Sequence, residues 1–164
     1  MSTLTVGTIH NSSGASPTGV GKIIQTKIGS LASDFAGGST SYANLGISQT
    51  ITLASTSNKL LISLSTTPYI GGGSEERFEL KVWVQPSGGT SVAVIHDNYW
   101  AYRTNDDWKS SSGFHQALYS PSSTAALTVK LQYARQSGGD TCHLFSNSNS
   151  PSTNTLVLHE VAAS

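Results

Sequence analysis

Charge is scarce in this chain. Only 11% of its 164 residues are charged, nine acidic and nine basic, and the formal net charge is zero. Soluble globular domains usually carry about 25%. Without a basic surplus, neither nucleic acid nor an anionic membrane surface is an expected partner. A single cysteine, Cys142, excludes an intrachain disulfide, and no Cys/His spacing resembles a zinc site. The histidines at 10, 96, 115, 143 and 159 form neither an H-x-H nor an H-E-x-x-H pattern, so no metal or cofactor is expected. No apolar run approaches the ~20 residues that span a bilayer. Residues 1–20 lack the basic start and apolar core of a secretory signal. Also missing are the G-x-S-x-G of a nucleophile elbow and the G-x-x-x-x-G-K-[ST] of a phosphate loop. Helical periodicity is lacking as well: no stretch of ten residues repeats convincingly at 3.6.

What fills the chain instead is Ser, Thr, Gly and Asn between short apolar runs of period two. Leu45, Ile47, Ile51 and Leu53 alternate with small polar residues. Phe78, Leu80, Val82 and Val84 alternate with Arg77, Glu79, Lys81 and Trp83. Leu127, Val129, Leu131 and Tyr133 alternate with Thr128, Lys130 and Gln132. Alternation of this kind places one set on each face of a sheet. Turn signals recur between the runs, among them 57–58, 71–73, 86–89, 121–123, 137–140 and 147–151. Strands are expected near 20–28, 42–53, 59–67, 76–85, 90–96, 98–103, 113–119, 126–135, 141–146 and 154–162. Many short strands at this spacing predict an all-β fold, an antiparallel β-sandwich or jelly roll. The similar turns Ser87-Gly88-Gly89 and Ser137-Gly138-Gly139 read as two hairpins, not as a duplicated unit.

The chain divides into an amino-terminal arm and linker, 1–19, and a β-sandwich domain, 20–164. In the arm, Thr3, Leu4, Thr5, Val6, Gly7, Thr8 and Ile9 can form one strand, followed by a Ser/Gly-rich spacer over 11–19. A lone strand cannot satisfy its own backbone groups. It pairs with another chain, packs on its own domain, or stays disordered; strand addition to a neighbour is the favoured use.

The densest chemistry lies at 97–108, which holds Tyr99, Trp100, Tyr102, Asp106, Asp107 and Trp108. Rings beside carboxylates and amides suit the apolar face and hydroxyls of a sugar. They equally suit an aromatic subunit interface, or packing at the end of the sandwich core. All three readings stay open. Calcium at Asp97, Asp106 and Asp107 does not match an EF-hand spacing. His96 and His115 fall in strands and could meet across a sheet. Glu75, Glu76 and Glu79 read as solvated charge at a strand start, not as a paired-carboxylate site. Cys142 reads as a small buried apolar residue.

Several segments carry a family resemblance. The start Met1-Ser2-Thr3-Leu4-Thr5-Val6-Gly7-Thr8-Ile9, followed by Asn11-Ser12-Ser13-Gly14, resembles virion structural proteins of tailed bacteriophages, notably marine and cyanobacterial ones. Gly21-Lys22-Ile23-Ile24-Gln25, residues 39–53, Ser57-Asn58-Lys59-Leu60-Leu61-Ile62 and the ending Asn154-Thr155-Leu156-Val157-Leu158-His159-Glu160-Val161 are similar to strands of the same proteins. Residues 68–150 match no such motif. The resemblance implies a trimeric β-sandwich built into a virion through its amino-terminal segment. It also implies assembly in the host cytoplasm and release by lysis. Expected partners are other copies of the chain, further virion proteins (capsid, portal or tail adaptor, fibre) and a host surface polysaccharide. Shaft repeats are missing, so a tail appendage or fibre component is the leading expectation, with a capsid-decorating cement subunit as the alternative. A carbohydrate-binding module and a polysaccharide-degrading enzyme are rivals; the scarcity of carboxylates weighs against the enzyme.

Overall fold

In the structure, a computed structural model, the described residues are 22–31, 34–71, 76–103, 113–139, 141–144 and 154–163. The arm expected at 1–19 lies outside them. Eleven strands are present among the described residues: β1 (Ile23–Ser30), β2 (Phe35–Gly37), β3 (Ala43–Ile51), β4 (Lys59–Thr66), β5 (Tyr69–Gly71), β6 (Glu76–Pro86), β7 (Val92–Arg103), β8 (Gly113–Tyr119), β9 (Leu127–Ser137), β10 (Thr141–Leu144) and β11 (Thr155–Val161). The fold is all-β, and every pairing is antiparallel.

Eight of these strands form two four-stranded sheets, ordered β1-β11-β4-β8 and β3-β9-β6-β7. Along the chain, consecutive members of this set change sheet at every connection but one, the β6–β7 hairpin. That is the connectivity of a jelly roll, which buries the inner faces of both sheets against each other. The period-two runs supply those inner faces. Phe78, Leu80, Val82 and Val84 of β6 are fully buried, as are Leu127, Val129 and Leu131 of β9. They meet Leu60, Ile62 and Leu64 of β4 and Leu156 and Leu158 of β11 in one core. Each such side chain contributes about 1.5–3 kcal/mol by leaving water. Cys142 also lies in this core, as its apolar reading required.

A third sheet, β2-β10-β5, closes one side. Its short strands β2 and β5 were not expected, because three residues carry no readable period; they exist through pairing with β10. Tyr133 holds this corner, with Phe35 edge-on at 5.2 Å and Phe78 tilted at 6.0 Å. Its hydroxyl accepts the Ser39 amide at 3.3 Å.

Two further expectations are corrected. The strands expected at 90–96 and 98–103 are one strand, β7, interrupted by bulges: 98–100 together face Glu79 of β6, and an extra residue sits opposite the step from Val82 to Trp83. The break read at residue 97 is no strand end: Asp97 still pairs with Leu80, and pairing is lost only at the adjoining bulge over 98–100. The turn at 137–140 does not form a hairpin. It carries the chain from β9 in one sheet to β10 in another, whereas the similar turn at 87–90 does join paired strands. In β3, Gly46 adopts φ +77°, and three residues, 45–47, face Leu131 alone. This bulge lets Leu45 and Ile47 both reach the core while Gly46 faces solvent.

The two outer faces differ. The outer face of β3-β9-β6-β7 carries Arg77, Glu79, Lys81 and Lys130. On β1-β11-β4-β8 the outward positions run in cross-strand rows, Ser30–Thr155–Ser65–Phe114, Ile28–Val157–Ser63–Gln116 and Thr26–His159–Leu61–Leu118. None of these residues is a carboxylate, and Lys59 stands at the end of the sheet.

Candidate functional site

The polar chemistry gathers on the outer face of β6 and its neighbours. Strand alternation turns Glu79 and Lys81 outward while Phe78 and Leu80 point in. Lys81 lies opposite His96 on β7. Tyr42, just before β3, reaches across: its hydroxyl donates to the Glu79 carboxylate and lies 3.3 Å from His96 Nε2. His96 Nε2 is itself 3.5 Å from Glu79 Oε2. The Lys81 ammonium stands 3.9 Å from the Tyr42 ring centroid, a cation–π contact. Desolvation first, then the hydrogen bond to Glu79 and its negative charge, push the Tyr42 phenol up to about 12. This phenol is therefore a hydrogen-bond donor, not a base, at neutral pH.

Beside this cluster the β3 bulge opens a groove of about 360 Å³, lined by Asn44, Gly46, Ile47, Ser48, Gln85, Thr128 and Lys130. The Lys130 ammonium donates to Gln85 Oε1, the side-chain amide oxygen, at 3.3 Å. Amides, hydroxyls and one ammonium offer hydrogen bonds to a polar ligand, but no carboxylate or imidazole lines the groove to move a proton.

The adjacent residues 96 and 97 point to opposite sides of β7, which settles the histidine expectation. His96 faces outward to Glu79, whereas His115 on β8 approaches Asp97, with Nε2 3.7 Å from Oδ2. The two imidazoles therefore do not meet; His115 and Asp97 instead link the two sheets at their β7–β8 corner. Among the described residues, no three His, Cys, Asp or Glu side chains gather where a metal ion could sit.

Potential nucleophiles are poorly placed for attack. Cys142 is fully buried, and burial pushes its thiol up to about 12. Thr26 Oγ1 and His159 Nδ1 are 2.8 Å apart, but among the described residues no carboxylate orients that imidazole as a triad requires.

The charged residue that matters most to the scaffold is Glu160, at an inward position of β11 and fully buried. Its Oε1 accepts the Ala54 amide at 2.7 Å and Asn58 Nδ2 at 2.5 Å; Oε2 accepts Gln25 Nε2 at 2.6 Å. Burial acts to raise its pKa. Hydrogen bonds from Gln25, Asn58 and the backbone at Ala54 and Ser55 outweigh it, and the net shift is downward. Gln25 also donates to the Thr52 carbonyl at 2.7 Å. One carboxylate thus clasps β1, β11 and the β3–β4 connection. The signal for it was present in the sequence: an acidic residue continuing the inward series Leu156, Leu158.

Of the contact residues expected from sequence, Tyr99, Trp100 and Tyr102 fall on β7, an outer strand of its sheet, where the structure describes the backbone alone. The segment at 98–100 forms the larger β7 bulge. Asp106, Asp107 and Trp108 lie outside the described residues, as do Thr3, Leu4, Thr5, Val6, Gly7, Thr8 and Ile9. The residues that sequence reasoning missed are Tyr42 and the Glu160 clasp; His96 was singled out, but for a meeting with His115 and not for its contacts with Tyr42 and Glu79.

No protein-family model matches the sequence, and no curated protein matches it. Solved structures do. A chain from the structure of infectious bursal disease virus, Gt strain, aligns with a TM-score of 0.50 and 14% identity, covering 85% of this chain and 38% of that one. A mutant VP2 protein of the same virus, in derived T=1 particles, aligns at 0.49 and 14%, covering 85% and 36%. A VP2 subviral particle of that virus aligns at 0.47 and 14%, covering 87% and 39%. This chain therefore spans less than two fifths of the Gt-strain chain, and what it shares with that chain is its fold.

Proposed function

We propose that this chain is a structural subunit of a virus particle, of the tailed-bacteriophage type, and that its work is assembly without catalysis. The observation that carries this reading is the jelly-roll sandwich, alike over 85% of the chain to a chain of a virus structure. The charge-poor surface supports it, because desolvating few long charged side chains makes close subunit contact less costly. In this reading residues 3–9 attach the subunit to the particle by strand addition, and the sandwich projects from it. Three copies associate, so that weak contacts act together. Tyr99, Trp100, Tyr102, Asp106, Asp107 and Trp108 face a neighbouring subunit or a cell-surface saccharide. The leading position is a tail fibre or appendage. A second position, decoration of the capsid, draws support from the same fold likeness.

Imaging of intact particles carrying a label on this chain tests the proposal. Label at regular sites on tail or head is the expected result, and position and copy number separate appendage from decoration. Particles that never contain the chain, or measurable turnover of a polysaccharide by the purified protein, refute it.

A further inference from the structure

Among the described residues, the exposed large apolar side chains other than Val92 all lie on the β1-β11-β4-β8 sheet. Ile23, Ile24 and Ile28 stand on β1, Phe114 and Leu118 on β8. Ile28 is 62% exposed, Phe114 67% and Leu118 58%. Between them the register places the half-buried Val157 and Leu61 on a diagonal from Ile28 to Leu118, with Thr26, His159, Ser63, Gln116 and other uncharged polar residues around them. Isolated exposed apolar residues are ordinary, but several of them on one sheet face among small uncharged polar residues mark a contact surface.

We infer that this face binds the same face of a second copy of the chain. The inference rests on the reading of the protein as an assembling subunit, and it names the surface used. Charge selects the occupant. The face offers no carboxylate, and Lys59 lies at its margin, so a charged group buried here finds no counter-ion within it. The partner surface has to be equally poor in charge. The opposite outer face, with Arg77, Glu79, Lys81 and Lys130, does not qualify, whereas a copy of the apolar face does. A surface that matches itself gives an isologous, two-fold contact, separate from the contact that holds three copies together.

Area sets the strength. Roughly fifteen outward positions, each spanning about 4.8 Å by about 6.6 Å, make a face of about 500 Å². Two faces bury about 1,000 Å², near the lower bound for a specific interface. Pairing of free chains is therefore weak and concentration-dependent, and it becomes firm where other contacts hold copies side by side.

Sedimentation velocity on the full chain, from about 1 to about 200 μM, tests this. The expected result is a concentration-dependent doubling of mass, of single chains or of three-copy assemblies, that Ile28→Lys or Leu118→Lys weakens tenfold or more, while Lys81→Glu on the other sheet leaves it unchanged. Far-UV circular dichroism checks that each variant is folded. A second measurement covers a variant that fails to fold: Gln116→Cys labelled with pyrene, Cys142 being buried, gives excimer emission that grows with protein concentration. A chain that stays monomeric throughout and gives no excimer overturns the inference. So does a trimer indifferent to Ile28→Lys and Leu118→Lys, a result that leaves the proposed virion role standing. That role fails separately, if labelled chain is missing from particles.

Discussion

Replacing Glu160 tests how the sandwich is fastened at its β1–β11 end. In Glu160→Ala, the donors at Ala54 N, Asn58 Nδ2 and Gln25 Nε2 lose their shared acceptor inside a fully buried site. Each unsatisfied donor costs about 1–3 kcal/mol, partly recovered where water enters or Gln25 leans further on Thr52. The expected net loss is about 3–5 kcal/mol, as for breaking one side of a buried charged network. Glu160→Gln is milder. Its carbonyl oxygen keeps Ala54 and Asn58, and Gln25 can present its own oxygen to the new NH₂ by flipping, at the cost of its bond to Thr52. A loss of about 1–2 kcal/mol follows. The two variants also differ from the parent in acid. The folded-state pKa of Glu160 is lowered, so its contribution is fully present above the unfolded value of about 4.3 and is lost as pH falls through the lower folded value. Urea unfolding followed by tryptophan fluorescence, repeated from pH 7 down to pH 3, measures both effects. The parent loses part of its midpoint below about pH 4, and Glu160→Gln loses less over the same range. An unchanged midpoint in Glu160→Ala at neutral pH, or identical acid sensitivity in parent and Glu160→Gln, refutes the clasp.

Three further outcomes are expected. A Cβ on Gly29 would lie 3.1 Å from the Ser48 carbonyl oxygen and 3.3 Å from Gln49 Cβ, where β1 crosses β3, so Gly29→Ala lowers stability by about 1–3 kcal/mol by overpacking; an unchanged urea midpoint contradicts it. Tyr42 has its phenol raised to about 12, so in an alkaline absorbance titration Tyr42→Phe removes one late-ionising tyrosine; an unchanged late phase contradicts it. By linkage, the stability that this phenol confers is present below the unfolded value of about 10 and fades as pH rises through 12. Cys142 is fully buried with its thiol raised to about 12, so a thiol reagent at pH 8 labels the native chain orders of magnitude more slowly than the urea-unfolded chain; comparable rates contradict the core placement.

The candidate surfaces were only partly readable before the chain was folded. Tyr42 and Glu79 are 37 residues apart and His96 lies on a third strand, so no local motif joins them. Glu160 belongs to no chemical motif in the closing strand. Its inward position became visible once Leu156 and Leu158 had been placed in the core.

The alternation of β6 and β9 was enough to establish an all-β sandwich, because a strand with one strongly apolar face has one stable way to lie on a core. Strand β8 lacked that information. Gly113–Tyr119 alternates Phe114, Gln116 and Leu118 with His115, Ala117 and Tyr119, and periodicity favours burying the first set. The fold buries the second set more deeply. Tyr119, Ala117 and His115 pair with Leu60, Ile62 and Leu64 of β4, whose side chains are committed to the core, and paired residues share a face. Pairing between distant strands thus overrode local hydrophobicity, and by turning Phe114 and Leu118 outward it created the apolar face on which assembly is proposed.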